Sequence, residues 1–423
     1  MGIGAVEAGL LPLTARAGAD GALTVGGVDL CALVEAEGTP LFVYDEAHLR
    51  ARCREAVAAF GPGVAYASKA FLCLAMARLV HEEGMHLDVA TGGELHVALS
   101  AGIPATDLKL HGNNKSVAEL VRARELGVRL VVDSFDELDR LERLHALDGI
   151  TARVLLRVTP GVEAHTHEYV MTGQLDSKFG FGLTNDEAAR AVERAQASEA
   201  TDVVGLHVHI GSQIFLAESF AKAVEVLADF AVPLALPELC MGGGLGVPYV
   251  EGERAPSITE WADVVHQACR QAGIASEVTA EPGRSIAAAA GVTLYRVGTI
   301  KQIPGVRTYV SVDGGMSDNP RPVLYGSGYE AFLPRAPQAE RPRVVTVVGK
   351  HCESGDIVAR DARVPADLAV DDVLCTPVTG AYGYSMASNY NRVPRPAVVF
   401  VADGRARVVV RRETLDDLIR LDQ

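Results

Sequence analysis

The sequence predicts an α/β plus β fold, a (β/α)8 TIM-type barrel with a second, mainly β C-terminal domain. Three observations carry that reading. Eight short apolar runs, each closing on small or polar residues, alternate with helical patterns over residues 63–283. The first five begin about 20 to 23 residues apart, the length of one strand, one helix and two short loops. From residue 291 onward the texture changes to β-rich runs separated by Gly, Asp and Pro. On pattern alone, a doubly wound open sheet is the competing arrangement.

Taken in order, residues 1–36 contain GADGALTVGGVDL, read as a hairpin that joins the C-terminal β domain. The barrel is assigned to residues 37–290. Its strands are GVAYAS (63–68), MHLDVA (85–90), LKLHG (108–112), RLVVD (129–133), ARVLLRV (152–158), VVGLHVHI (203–210), PELCMGG (237–243) and SEVTAEPG (276–283). Between them, helices end at glycines: ALVEAEG at Gly38 and CLAMARLVHEEG at Gly84. Residues 291–423 form the C-terminal β domain, with the runs GVTLYRVGTI, RTYVSVD, RVVTVVG, DIVARDARV, DDVLCTPV, RPAVVFVADG and RARVVVRRE.

Composition narrows the function. A chain of 423 residues with 48% hydrophobic residues can build two cored domains. A net charge of −15 and a pI near 5.3 argue against a nucleic-acid or anionic-membrane partner, either of which needs a basic face. The N-terminus lacks a secretory pattern, and no apolar run approaches the roughly 20 residues of a membrane span, so a cytoplasmic enzyme of small molecules is expected. Seven cysteines without a C-x-x-C pair suggest neither a disulfide framework nor structural zinc. Cys31, Cys53, Cys73, Cys240, Cys269 and Cys375 are expected to be buried and inert.

In a barrel of this kind catalytic groups gather at the C-terminal ends of the strands. The polar residues follow suit. Lys69 closes the first run, Asp88 and Thr91 the second, His111 and Asn113 the third, Asp133 the fourth and Arg157 the fifth. His209 and Ser212 close the sixth, Gly242 to Gly246 the seventh, and Glu281 to Arg284 the eighth. A lysine at a strand end can simply lay its stem on apolar surface with its head in water. At a barrel mouth beside histidines, glycines and a glutamate, a lysine of lowered pKa can instead form a Schiff base with a carbonyl. Pyridoxal phosphate (PLP) is the carbonyl partner that fits. It asks for that lysine, a phosphate cradle, a group to stack on the ring and a partner for the pyridine nitrogen.

GGGLG at 242–246 offers backbone N–H groups that can close on a phosphate. Alone it is a weak signal. His209 in HVHIGSQ can stack on a ring, with Gly211 and Ser212 toward the phosphate. The two histidines of HVH are expected to face opposite ways, which disfavours a metal pair. His165 and His167 of AHTH are read as a loop without a role. Glu281 in EPGR is the most informative residue, because a carboxylate at the pyridine nitrogen keeps it protonated and makes the ring a strong electron sink. That favours loss of carbon dioxide over racemisation.

These motifs resemble those of the diaminopimelate decarboxylase family. The resemblance rests on YASKA (66–70), DVATGGEL (88–95), HGNNKS (111–116), AHTHEYVMTGQLDSKFGF (164–181), HVHIGSQIF (207–215), GGGLG (242–246), EPGR (281–284), SVDGGMSDNPRPVLYG (311–326), GKHCESGD (349–356) and GAYGYSMASNYN (380–391). It runs from residue 37 to the C-terminus, and ten motifs in order are highly specific. It implies an alanine-racemase-like, fold type III architecture, a PLP barrel followed by a β domain. Residue by residue, it implies that Lys69 is the Schiff-base lysine and that His209 stacks on PLP. It places cofactor contacts at Gly244, Glu281, Gly283 and Arg284, and substrate contacts at Arg284, Arg321 and Tyr325. Cys352 corresponds to a proton donor and Glu353 to a substrate ligand, both reaching the neighbouring subunit of an obligate homodimer. Tyr382 corresponds to a residue touching cofactor and substrate.

The residue types agree with that implication. Beyond its reacting centre, meso-diaminopimelate carries a second α-amino acid end, which asks for guanidinium groups to grip a carboxylate and an anion to meet an ammonium. Arg284, Arg321 and Glu353 are the expected set; an ordinary surface pair is the bland alternative for Arg321 and Glu353. The expected reaction is decarboxylation at the D-configured centre to give L-lysine, the last step of lysine biosynthesis. A sister decarboxylase of a natural-product pathway, or a non-catalytic PLP-binding paralogue, are the alternatives.

Overall fold

In a computed structural model of the chain, residues 6–162 and 177–423 are described. The chain divides into two compact units. One comprises Arg52–Val247 and Ala255–Ser285; the other comprises Met1–Ala51, Pro248–Arg254 and Ile286–Gln423.

The first unit is the barrel. Its parallel strands are β1 (Ala65–Ala67), β2 (His86–Val89), β3 (Leu108–Leu110), β4 (Arg129–Val132), β5 (Ala152–Thr159), β6 (Thr201–Val208), β7 (Glu238–Cys240) and β8 (Glu277–Thr279). They neighbour one another in chain order, and the ring is completed by backbone bonds from Ala65 N to Ala280 O (2.9 Å) and Ala67 N to Pro282 O (3.2 Å). Six of the eight predicted runs contain one of these strands, and the other two, 152–158 and 203–210, overlap theirs to within two residues. They read as near-continuous apolar stretches because helices cover one face and the barrel interior covers the other.

Local chemistry sets the helices between them. Thr91, Ser116, Ser134 and Ser257 each accept a backbone N–H three residues on and so open a helix; Ser116 with Glu119 and Ser257 with Glu260 complete reciprocal capping boxes. Gly127, Gly149 and Gly273 close helices in the left-handed conformation, where a side chain would be strained. On the outer ring Trp261 is fully buried, with ring centroids 4.8 Å from Phe60 and 5.1 Å from Phe220. Such aromatic pairs add about 0.5–1.5 kcal/mol beyond their burial.

The second unit is built on one long strand, Gly291–Ile303. Its first half pairs with Leu41–Asp45 and Val373–Thr376; its second half pairs with Arg307–Val312. Arg343–Val348 and Ile357–Val364 extend the sheet on one side, Ala397–Ala402 and Arg405–Val410 on the other. Leu41–Asp45 is fully buried and lies between Gly291–Ile303 and Ala397–Ala402, so this unit runs on to Ala51, past the expected 36/37 boundary. In the N-terminal GADGALTVGGVDL, Leu23–Val25 and Val28–Asp29 pair antiparallel, and Arg16–Ala17, just before it, adds a third strand to this small sheet. Leu23 N bonds to Pro334 O and Gly404 N to Gly26 O, both at 2.7 Å, tying it to the same unit.

Candidate active site

The upper rim of the barrel is polar, as strand alternation demands once one residue of a strand end faces inward. Lys69 lies in a single turn, Ser68–Ala70, immediately after β1; it is exposed between two buried neighbours. Its charge reaches Asp88, Glu94 and His209.

Glu281, only 3% exposed, is the best-anchored carboxylate at this rim. Oε1 accepts from His111 Nε2 at 3.1 Å and Oε2 from His207 Nε2 at 2.9 Å. Burial by itself would raise the Glu281 pKa; His111 and His207 outweigh it and hold the carboxyl well below its usual range. Burial holds both imidazoles below their ordinary range in turn. In each bond the imidazole Nε2–H donates to the carboxylate, and among the described residues the buried His207 Nδ1 has no hydrogen-bond partner. The ligand-type atoms of His111, His207 and Glu281 lie within 4.8 Å of one another, but these two N–H bonds already account for the cluster as an anchored carboxylate. Burial and the Glu281 charge push Asp88, next to it, well above the carboxylate range.

His209 is half-buried, and Gly243 N donates to its Nδ1 at 3.2 Å. Burial, then the charges of Lys69 and Arg157, keep it well below the ordinary imidazole range, so it presents a neutral ring. The expectation that His207 and His209 face opposite ways is corrected here. Residues i and i+2 of a strand share a face, and both rings are turned toward interior groups, His207 to Glu281 and His209 to Gly243.

The glycine loop is shaped by close approach. Gly244 has φ +116°, and a Cβ there would run into the Gly211 carbonyl; a Cβ on Gly283 would lie 2.8 Å from the Ala67 Cβ. Gly244 O accepts from Ile214 N at 3.0 Å, which fixes this turn against the HIGSQ turn. Among the described residues the Gly244 and Leu245 N–H groups have no hydrogen-bond acceptor. Ser212 Oγ accepts from Arg284 Nη2 at 2.8 Å, and Arg284 opens the short helix Arg284–Ala287. Free amides, a hydroxyl, a guanidinium, a neutral ring, an anion and a lysine are the donor set a phosphorylated pyridine aldehyde needs.

Similarity to known proteins agrees with this chemistry. Residues 46–288 match the pyridoxal-binding domain of the pyridoxal-dependent decarboxylases. The diaminopimelate decarboxylases of Halalkalibacterium halodurans and Bacillus subtilis are each 46% identical, with 97% of this chain and 97% of theirs aligned. The chain belongs to the diaminopimelate decarboxylase family. Among solved structures, the diaminopimelate decarboxylase of M. jannaschii in co-complex with L-lysine superposes with a TM-score of 0.90 at 33% identity, over 97% of this chain and 98% of that one.

The other residues expected of a diaminopimelate decarboxylase lie in the second unit. Arg321 is 4% exposed and begins the helix Arg321–Tyr325, flanked by Pro320 and Pro322, whose missing N–H groups cost nothing at a helix start. Its Nη2 donates to Ser327 Oγ (3.0 Å), its Nη1 to Tyr329 Oη (3.3 Å), and its guanidinium stacks 4.1 Å over the Tyr249 ring. It is thus no surface partner of Glu353. Tyr325, one turn on, is half-buried.

Cys352 and Glu353 are both exposed in a turn held by buried Asp356. The Asp356 carboxylate accepts from Met316 N (2.7 Å) and His351 N (2.9 Å), while the His351 ring bonds Ser317 (2.9 Å) and Asn391 (3.1 Å). Cys53, Cys73, Cys240, Cys269 and Cys375 are buried as expected, whereas Cys31 is only half-buried. Tyr382 takes a strained φ of +59° in the GAYGY turn. Residues 164–176 of the AHTHEYVMTGQLDSKFGF motif, with His165 and His167, lie outside the described residues.

Sequence reading did not assign His111 and His207 as partners of Glu281, nor Asp356 as the anchor of the CESGD turn, nor Tyr249, Ser327 and Tyr329 as the setting of Arg321. A signal was available for the histidines, since both fall at inward positions beside a strand-end carboxylate.

Proposed function

We propose that the protein is a PLP-dependent carboxy-lyase that converts meso-2,6-diaminopimelate to L-lysine and carbon dioxide. The single observation that carries the reading is the pairing of an exposed strand-end lysine, Lys69, with an ionised and doubly hydrogen-bonded carboxylate, Glu281, on one barrel rim. Family membership supports it.

When bound, the cofactor supplies an electron sink for the bond that breaks between the α-carbon and its carboxylate. The residues do the rest. Lys69 would supply the amine that holds the cofactor and would yield that place to the substrate amine. Gly244, with Ser212, Gly283 and Arg284, would cradle the phosphate. His209 would stack on the cofactor, its pKa held down by burial and the charges of Lys69 and Arg157. Glu281 would hold the proton of the cofactor's nitrogen. Arg284 and Arg321 grip the distal carboxylate, Glu353 its ammonium, and Tyr325 and Tyr382 complete the grip, so that the scissile bond is held in the orientation that reacts. Cys352 returns a proton to the α-carbon. Because Cys352 and Glu353 are exposed on their own chain, we propose that they serve a second copy in a homodimer.

The test is lysine formation by purified, PLP-loaded protein given meso-diaminopimelate, with ornithine and arginine in parallel. Lysine from the first substrate and no product from the others is expected. Carbon dioxide from ornithine or arginine with none from diaminopimelate would sink the substrate assignment while leaving the Lys69 and Glu281 roles in place.

A further inference from the structure

Beneath Glu281 the barrel interior holds a second layer of charge that the reaction as described does not use. Lys109, in the middle of β3, is fully buried, since alternation sends Leu108 and Leu110 outward and Lys109 with His111 inward. Its Nζ donates to Glu238 Oε1 at 2.8 Å and stands 3.8 Å from Glu281 Oε1. Glu238 is fixed in turn by Arg129 Nη1 (2.8 Å) and Thr279 Oγ1 (2.7 Å). Deep in a fold, such a pair adds little net stability over apolar residues of similar volume, because desolvation offsets attraction. An ammonium placed under an active-site carboxylate therefore points to electrostatics at that carboxylate.

We propose that Lys109 is a positioning residue for the reaction: its ammonium, held by Glu238, stabilises the ionised Glu281 and so biases the ring proton of bound PLP toward nitrogen. The inference rests on the PLP reading of the barrel rim. A cation 3.8 Å from Glu281 Oε1 favours the ionised carboxylate over its protonated form, and would so favour leaving a shared proton on a ring nitrogen bound there. The groups whose charges act with Glu281 are Asp88 from β2, Lys109 from β3 and His111 just beyond it, Arg157 from β5, His207 from β6 and His209 just beyond it, and Cys240 from β7; Asp133, just beyond β4, stands beside Arg157. Arg157 stands 3.6 Å from Asp133, and among the described residues Lys109 is the only lysine or arginine with a nitrogen within 4.0 Å of the Glu281 carboxylate. Burial opposes the charge on Lys109, but the surrounding acidic groups outweigh it and keep it protonated.

The experiment reads the pyridine nitrogen directly, by 15N NMR of the holoenzyme loaded with ring-labelled PLP. Wild type and Lys109→Arg should give a pyridinium resonance. Lys109→Met, and Lys109→Met combined with Glu238→Gln, should both shift it toward neutral pyridine, with kcat reduced and KM unchanged. The double variant removes both charges of the pair while Lys109→Arg keeps them; Glu238 retains Arg129 as a partner in Lys109→Met, so a shift shared by the two Met proteins and absent from Lys109→Arg follows the ammonium. An unchanged resonance across all four proteins, or a wild-type resonance in the double variant, would overturn the proposal for Lys109 alone. Failure of the wild-type protein to bind PLP would overturn the functional reading itself.

Discussion

His207 Nε2 and Glu281 Oε2 are 2.9 Å apart, both buried, with the carboxyl held well below its usual range and the imidazole below its own. A hydrogen bond to a carboxylate belongs to the stronger class in a protein interior. Replacing His207 by Phe keeps the ring and removes the donor. The expected loss is about 1.5–3 kcal/mol of stability at neutral pH, read from urea midpoints. The sign with pH follows from both groups having depressed folded-state pKa values. Their contribution is present above the unfolded carboxylate and imidazole ranges and is lost as pH falls, so wild type and variant should converge in acid. A deficit that stays constant down to acid pH would contradict the assigned charge states.

Gly244→Ala places a Cβ against the Gly211 carbonyl at a φ of +116° that alanine rarely adopts. Strain of roughly 1–3 kcal/mol is expected, with the turn displaced. PLP affinity, measured by titration of the cofactor-free variant, should fall about tenfold or more, one decade for each 1.4 kcal/mol. Unchanged affinity would remove Gly244 from the cradle.

The exposure of Cys352 and Glu353 makes the shared-site proposal testable by complementation. Lys69→Ala and Cys352→Ala chains should each be inactive alone. Unfolded together and refolded at equal concentration, they should regain about a quarter of wild-type activity, because half of the dimers are mixed and each mixed dimer has one intact site. No recovery, with dimers formed, would place Cys352 on its own chain's chemistry.

Asp318 is fully buried; Tyr295 Oη donates to its carboxyl at 2.5 Å, and Gly315 N at 2.8 Å. Burial pushes its pKa up to about 7. A raised carboxyl stabilises the fold below its unfolded pKa and loses that contribution as pH rises through the folded value. Between pH 4 and 7 the wild type should therefore lose up to roughly 4 kcal/mol that Asp318→Asn does not lose. Parallel stability profiles for the two proteins would mean that Asp318 is ionised throughout.

Much of this was legible in the sequence, and the reasons differ by residue. Lys69, His209 and Glu281 stood out because a barrel collects polar groups at its strand ends, where a charged residue breaks an apolar run. Lys109 and Glu238 were passed over because LKL and ELC read as ordinary core strands. Their partnership spans 129 positions of sequence, and no local pattern reports a contact across a barrel. Leu41–Asp45 escaped for a similar reason, since a short apolar run does not say which sheet it will join, and its partners lie hundreds of residues away. The i, i+2 histidines were misjudged in direction although strand alternation alone gives the answer.

The proposed reaction takes the carboxylate from the D-centre of meso-diaminopimelate and returns a proton to the same carbon. Running it in D2O and examining the product by mass spectrometry and NMR is the most direct test. L-lysine carrying a single deuterium on the carbon that lost its carboxylate is expected, with one carbon dioxide released per lysine. Diaminopimelate recovered intact with deuterium at its α-carbon and no lysine would contradict it, and would assign the barrel rim to proton exchange instead.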